Sequence, residues 1–253
     1  MSAIHIILMG KGGVGKSFIS TILAQHLNQV GNELFCADTD PTNPTFSGYP
    51  SLGAKHFNIM TPDMNIDKSH FDALIEEMLE HEGDCVVDNG ASSFLPMMAY
   101  MLENDVIKFL IDAGKQVFIH APLIGGLGMD ETIRMLGIII DSQIAPVVVW
   151  ENELFGPVNK NGKGFLDSGI YLKNKSRILG IIKIANRSED TFGKDLHNMT
   201  TNRLTFSEVM ESPIFRTMGR QRLKQVQRDI AVQLDAINFG CIDKKFDASV
   251  TEQ

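Results

Sequence analysis

The segment Ile4-His5-Ile6-Ile7-Leu8-Met9-Gly10-Lys11-Gly12-Gly13-Val14-Gly15-Lys16-Ser17 decides the fold. Its first six residues form a short, mainly apolar run of the kind that reads as a strand buried on both faces. The next eight match the pattern GxxxxGK(S/T). The chemistry requires that spacing. Glycines let the loop turn tightly, so that successive backbone N–H groups converge on phosphate oxygens. The helix that follows offers its positive amino end to the same anion. Lys16 can reach the β- and γ-phosphates of a nucleotide, and the Ser17 hydroxyl can ligate Mg2+. Ile19, Ile22, Leu23, Leu27 and Val30 then recur at helical spacing over residues 17–30, and Gly31 supplies a stop.

Further apolar runs lie at 34–37, 85–87, 117–119, 147–150 and 178–184, with helical patterns at 71–79 and 130–140 between them. Strands alternating with helices predict an α/β fold: a mostly parallel central sheet with helices on both faces. Residues 208–236 read as helix broken near Pro213, with Val226, Ile230, Leu234 and Ile237 as a docking stripe, and residues 157–169 read as a long exposed loop. No internal repeat or linker divides the chain, so residues 1–238 are expected to form one domain and 239–253 a flexible tail.

Composition narrows the class without naming a function. The 253 residues are 43% hydrophobic and carry a net charge of −8, which excludes a basic nucleic-acid-coating protein, a disordered chain and a fibrous repeat. Cys36, Cys85 and Cys241 have no metal-ligand or disulfide spacing and fit a reducing cytoplasm. The amino terminus has no basic region before its apolar stretch, so no signal peptide is expected, and no apolar run is long enough to span a bilayer.

Lys11, at the front of the loop, is the informative extra. The stretch KGGVGKS resembles the deviant Walker A sequence of the ParA/MinD-type ATPases, P-loop NTPases of the SIMIBI class. That resemblance implies ATP and Mg2+ as cofactors, with residues Gly10, Lys11, Gly12, Gly13, Val14, Gly15, Lys16, Ser17 and Phe18 around the nucleotide. It also implies an ATP-dependent sandwich dimer, in which Lys11 reaches the nucleotide of the partner subunit. Asp38-Thr39-Asp40-Pro41 ends an apolar strand and is similar to the family's switch I pattern DxDPQxN, although Asn43 stands one place early. The resemblance makes Asp40 the residue that positions the attacking water and Asp38 the support for loop and metal shell; a capped strand end is the plainer alternative. Asp84-Cys85-Val86-Val87-Asp88-Asn89-Gly90 looks like a Walker B strand, placing Asp88 near Mg2+ at the sheet's carboxyl edge. The metal set is then Ser17, Asp38, Asp40 and Asp88, partly through water. Asn152 ends the run at 147–150, where a family asparagine contacts adenine; a strand-ending amide is the alternative.

The likeness can be narrowed. The opening twenty residues, the stretch CADTDPTNPTFSGY, the stretch DCVVDNGASSFLP and the later DTFGKDL and NRLTFSEVM together resemble the TraL-type proteins of plasmid conjugal-transfer operons, over about residues 3–238. This implies an ATPase in conjugal transfer, with a protein partner in a type IV secretion apparatus. Two rival readings stand beside it. One is an adaptor with negligible hydrolysis that docks its partner through residues 92–101, where Met97, Met98 and Met101 could form an adaptable surface. The other is a partition ATPase that binds DNA through Arg216, Arg220, Arg222, Lys224 and Arg228. A solvated helix face is the preferred account of that cluster, and membrane insertion is not expected.

Overall fold

The computed structural model describes residues 2–31, 33–237 and 239. Its strands are β1 (Ala3–Ile7), β2 (Leu34–Asp38), β3 (Lys55–His56), β4 (Asp84–Asp88), β5 (Gln116–Ile124), β6 (Val147–Asn152), β7 (Asn159–Lys160), β8 (Lys163–Gly164) and β9 (Ile178–Ile184). The helices are α1 (Lys16–Gln29), α2 (Phe71–Glu80), α3 (Phe94–Glu103), α4 (Val106–Asp112), α5 (Met129–Ser142), α6 (Gly169–Lys173), α7 (Lys194–Thr201), α8 (Phe206–Glu211) and α9 (Thr217–Asp235). Seven strands pair in the order β3-β2-β4-β1-β5-β6-β9, all parallel. This is the P-loop NTPase architecture expected of the ParA/MinD type.

Alternation along the strands builds two cores. Ile4 and Ile6 of β1, with Val147 and Val149 of β6, face α2, α3, α4 and α5. Ile7, Val148 and Trp150 face the opposite layer, where α1, α7, α8 and α9 pack. A strand with side chains buried on both faces reads as a near-continuous apolar run, which is why these strands were legible. Val226, Ile230 and Leu234 dock α9 as expected. Cys36 and Cys85 are buried free thiols, and burial pushes each up to about 12, so neither is reactive.

Several elements depart from expectation. The segment 157–169 contains a hairpin rather than a plain loop. Asn161 and Gly162, both at positive φ, make the two-residue turn between β7 and β8, and Val158 and Phe165 are buried beside it. Helix α1 ends at Gln29 and leaves Val30 exposed, with Gly31 in the left-handed region as the stop. Met97, Met98 and Met101 lie in the core, so they do not form a partner surface; α3 instead exposes Leu95 and Leu102. Phe239, placed in the tail by sequence, packs edge-on against His5 and Phe118. The rest of the tail, with Cys241, lies outside the described residues. Among the described residues no helix is long and apolar enough to cross a membrane.

One polar chain runs through the second core. Trp150 Nε1 donates to His120 Nδ1 at 2.9 Å, which puts the His120 proton on Nε2, 2.9 Å from His5 Nδ1. Burial drives His120 well below 6.5 and His5 down to about 3. An unfolded histidine takes up its proton as pH falls through 6.5, whereas folded His5 stays neutral to about 3. Stability present above pH 6.5 is therefore lost on acidification. Between pH 7 and 5.5 the wild type should lose about 1 kcal/mol more stability than His5→Phe, read from urea denaturation. Equal pH slopes for the two proteins would overturn this account.

Candidate functional site

Strand register assembles the site. Ile7 lies opposite Asp88 on β4, and Asp88 lies opposite Asp38 on β2. The loop leaving β1 therefore starts beside Asp88, with Asp38 ending the next strand along. Gly13 and Gly15 hold φ values of 71° and 94°, which only glycine adopts freely. Gly15 is also the N-cap of α1. A side chain at Gly10 would have its Cβ 2.7 Å from Phe94. Val14 is fully buried and anchors the loop in the first core. Phe18 packs against the second core along α1.

Lys16 is 8% exposed, and its Nζ donates to the Lys11 carbonyl at 3.3 Å. Burial lowers its pKa, opposed by the charges of Asp88 and Asp40. Asp88 is pushed up to about 7, chiefly by burial and secondarily by Asp38. Hydrogen bonds from Ser17 and Ser20, and the Lys16 charge, pull the other way. Ser20 Oγ sits 3.0 Å from Asp88 Oδ1. A buried carboxyl raised this far lacks cationic compensation, and the hard oxygens of Ser17 and Asp88 suit Mg2+. No three His, Cys, Asp or Glu side chains group around a metal position among the described residues. Mg2+ sites commonly use one or two protein oxygens completed by phosphate and water, so the donor set fits.

The other two expected metal residues are engaged with backbone. Asp38 Oδ1 accepts from Asp40 N at 3.0 Å and its Oδ2 from Ser47 N at 2.9 Å. Asp38 thereby shapes the following loop. Asp40 Oδ1 accepts from the backbone N–H groups of Thr42 and Asn43, each at 3.0 Å, and from the Thr42 hydroxyl at 2.9 Å. The Asp40 side chain also rests on Gly90, where a Cβ would lie 2.7 Å from its Cγ. His56, at the end of β3, brings Nε2 within 3.3 Å of the Asp40 carbonyl.

Two residues have partners that sequence reading did not supply. Lys11 Nζ pairs with Glu131 Oε2 at 2.5 Å within the same chain. Glu131 lies in the first turn of α5, where acidic residues favour the helix dipole, and nothing local tied it to Lys11. Asn152 is 1% exposed; its Nδ2 donates to Val14 O at 3.0 Å and its Oδ1 accepts from Leu154 N at 3.2 Å. Its amide thus latches the phosphate loop to β6. Of the basic cluster, Arg222 pairs with Asp195 at 2.6 Å, Arg228 with Asp229 at 3.6 Å, and Arg220 donates to Ser212 O at 2.9 Å, which engages three of its five cations.

Replacing Asn152 by Ala should lower stability by about 2 kcal/mol, because the Val14 carbonyl is left buried without its donor. Phosphate affinity should fall with it. An unfolding midpoint equal to wild type would show that the latch is not formed.

Comparison with known proteins gives the family and the fold. The model of the CobQ/CobB/MinD/ParA nucleotide-binding domain matches residues 5–249. Over 237 residues the chain is 40% identical to Protein TraL of Escherichia coli, covering 93% of this chain and 98% of that protein. The fold is shared with the MinD cell division protein of Aquifex aeolicus, at a TM-score of 0.51 and 16% identity over 93% of this chain and 98% of that one. It is likewise shared with the MinC:MinD cell division protein complex of Aquifex aeolicus, at a TM-score of 0.52 and 16% identity over 93% and 96%. The chain belongs to the CobQ/CobB/MinD/ParA nucleotide-binding domain family.

Proposed function

We propose that this chain is a Mg2+-dependent ATP-binding protein and slow ATPase that works as a nucleotide-switched dimer in plasmid conjugal transfer. The observation that carries the proposal is the phosphate loop set over Asp88, with Lys16 and Ser17 beside it. In this reading residues 1–238 form one cytoplasmic domain. The loop N–H groups and Lys16 hold the β- and γ-phosphates, while Ser17 and Asp88 hold the metal side of the site. Mg2+, when bound, neutralises charge that develops on the phosphates. Asp40 orients the attacking water, and its loop relaxes with the Gly90 loop once phosphate leaves. Lys11 exchanges Glu131 for the nucleotide of the second subunit. The TraL likeness supports the conjugal setting and a protein partner in the secretion apparatus.

The adaptor reading has one observation in its favour. Leu95 and Leu102 stand two turns apart on α3, 66% and 58% exposed, on the element that follows the Asp88 loop. Phosphate release that stays at background with and without transfer proteins and DNA would select it. The partition reading is weakened by the pairing of Arg220 and Arg222 inside the chain.

Lys16→Ala should lower ATP affinity by about 100-fold, through loss of charge-assisted bonds to phosphate, as measured by fluorescent-nucleotide titration. Lys11→Ala should keep that affinity within about threefold, yet lose ATP-dependent dimerisation and hydrolysis. Sedimentation that shows wild-type dimerisation of Lys11→Ala would rule out the cross-subunit role.

A further inference from the structure

We propose that Thr39, Asn89 and Ser93 form a buried positioning cluster that couples the Asp40 loop to the Asp88 loop, so that both loops respond together to the γ-phosphate. The inference deepens the nucleotide-switch reading and rests on it.

All three side chains are fully buried. Asn89 Oδ1 is the hub: it accepts from Thr39 Oγ1 at 3.0 Å and from Ser93 Oγ at 2.9 Å. Asn89 Nδ2 donates to the Gly90 carbonyl at 3.1 Å, which fixes which end of the amide faces the hydroxyls. The backbone repeats the connection, since Thr39 N donates to Asp88 O at 2.9 Å. Thr39 is flanked by Asp38 and Asp40, and Asn89 by Asp88 and Gly90. Each bond of the cluster therefore lies one residue from a group assigned to water or metal. Gly90 adds a steric link, because Asp40 lies where its Cβ would be.

In a site this dry, a hydroxyl that leaves the amide finds no water to replace it. Separating the loops would strip the Thr39 hydroxyl of Asn89 Oδ1 at 3.0 Å and Asp88 O at 3.3 Å, and the Thr39 carbonyl of Ser93 Oγ at 3.3 Å. The loops are thus held as one body, whereas two solvated loops would relax independently. None of the three side chains has a hydrogen bond to the phosphate loop, so the cluster acts through Asp40 and Asp88. Asn89 and Ser93 lie within NGASSF, and this coupling gives that segment a purpose that metal binding by Asp88 alone does not.

The test compares Thr39→Val, which removes the hydroxyl at nearly constant shape, with Thr39→Ser, which keeps it. Hydrogen exchange is followed while Mg2+ and ATPγS bind, alongside ATP affinity and phosphate release. Wild type should gain protection at residues 39–43 and 90–93 together. Thr39→Val should keep ATP affinity within about twofold, lose about tenfold in phosphate release, and protect the two loops unequally. Thr39→Ser should restore all three readouts. Joint protection and full turnover in Thr39→Val overturn the proposal, as does a fall in affinity that matches the fall in turnover. If Thr39→Val does not fold, Ser93→Ala, which removes the hydroxyl that reaches the Thr39 carbonyl of the other loop at 3.3 Å, is expected to uncouple the loops and decides the matter. A wild type that protects the phosphate loop but never hydrolyses ATP refutes the ATPase reading, and the coupling is then judged by exchange alone. A wild type that binds no nucleotide overturns both.

Discussion

Asp88 carries an ionisable carboxyl to a position 1% exposed, one strand away from a second buried aspartate, Asp38. Placing two such groups side by side is costly, and the surroundings answer that cost unevenly. Asp38 accepts backbone N–H groups from its own loop, yet burial still holds its carboxyl above the usual range. Asp88 receives hydroxyls from Ser17 and Ser20 and the charge of Lys16, yet remains raised to about 7. A divalent cation beside Asp88 would offset that burial, and the phosphate loop stands next to it.

The second layer ties its own helices to the same edge. Gln25 of α1 accepts from Phe206 N at 2.7 Å, and Ser51 donates to Glu208 at 2.5 Å. Glu208 also closes the capping box that starts α8 with Thr205. The Arg203 guanidinium lies against Gly48, leaving no room for a side chain there. The segment after Asp40 is therefore gripped by α1, by the turn before α8 and by α8 itself. A shift in the Asp40 loop has a physical route to the C-terminal helices, through contacts that have no part in holding phosphate.

How much could be read from the chain alone depended on whether a group's partners were local. The strands were legible because burial on both faces makes them continuously apolar, and α1 because its apolar stripe starts at the loop and ends at Gly31. The β7–β8 hairpin was missed although Asn161-Gly162 is a strong turn signal; its strands are only two residues each and carry no alternation. Met97, Met98 and Met101 were ambiguous because a methionine stripe suits a core and an adaptable surface equally.

By itself the sequence determined the phosphate loop, the order of the six longer strands with helices α1, α2, α5 and α9, and the candidate acids at strand ends. Each of these is written within a few neighbouring residues as spacing, periodicity or the conformational freedom of glycine. The tertiary structure decided how those residues are used. It paired Lys11 with Glu131, 120 positions away, and turned Asn152 inward onto Val14, 138 positions away. It also joined Thr39 to Asn89 across two parallel strands. The physical reason is that a polar side chain's role is set by whichever donor, acceptor or charge shares its low-dielectric surroundings, and parallel-strand packing chooses that neighbour from remote parts of the chain.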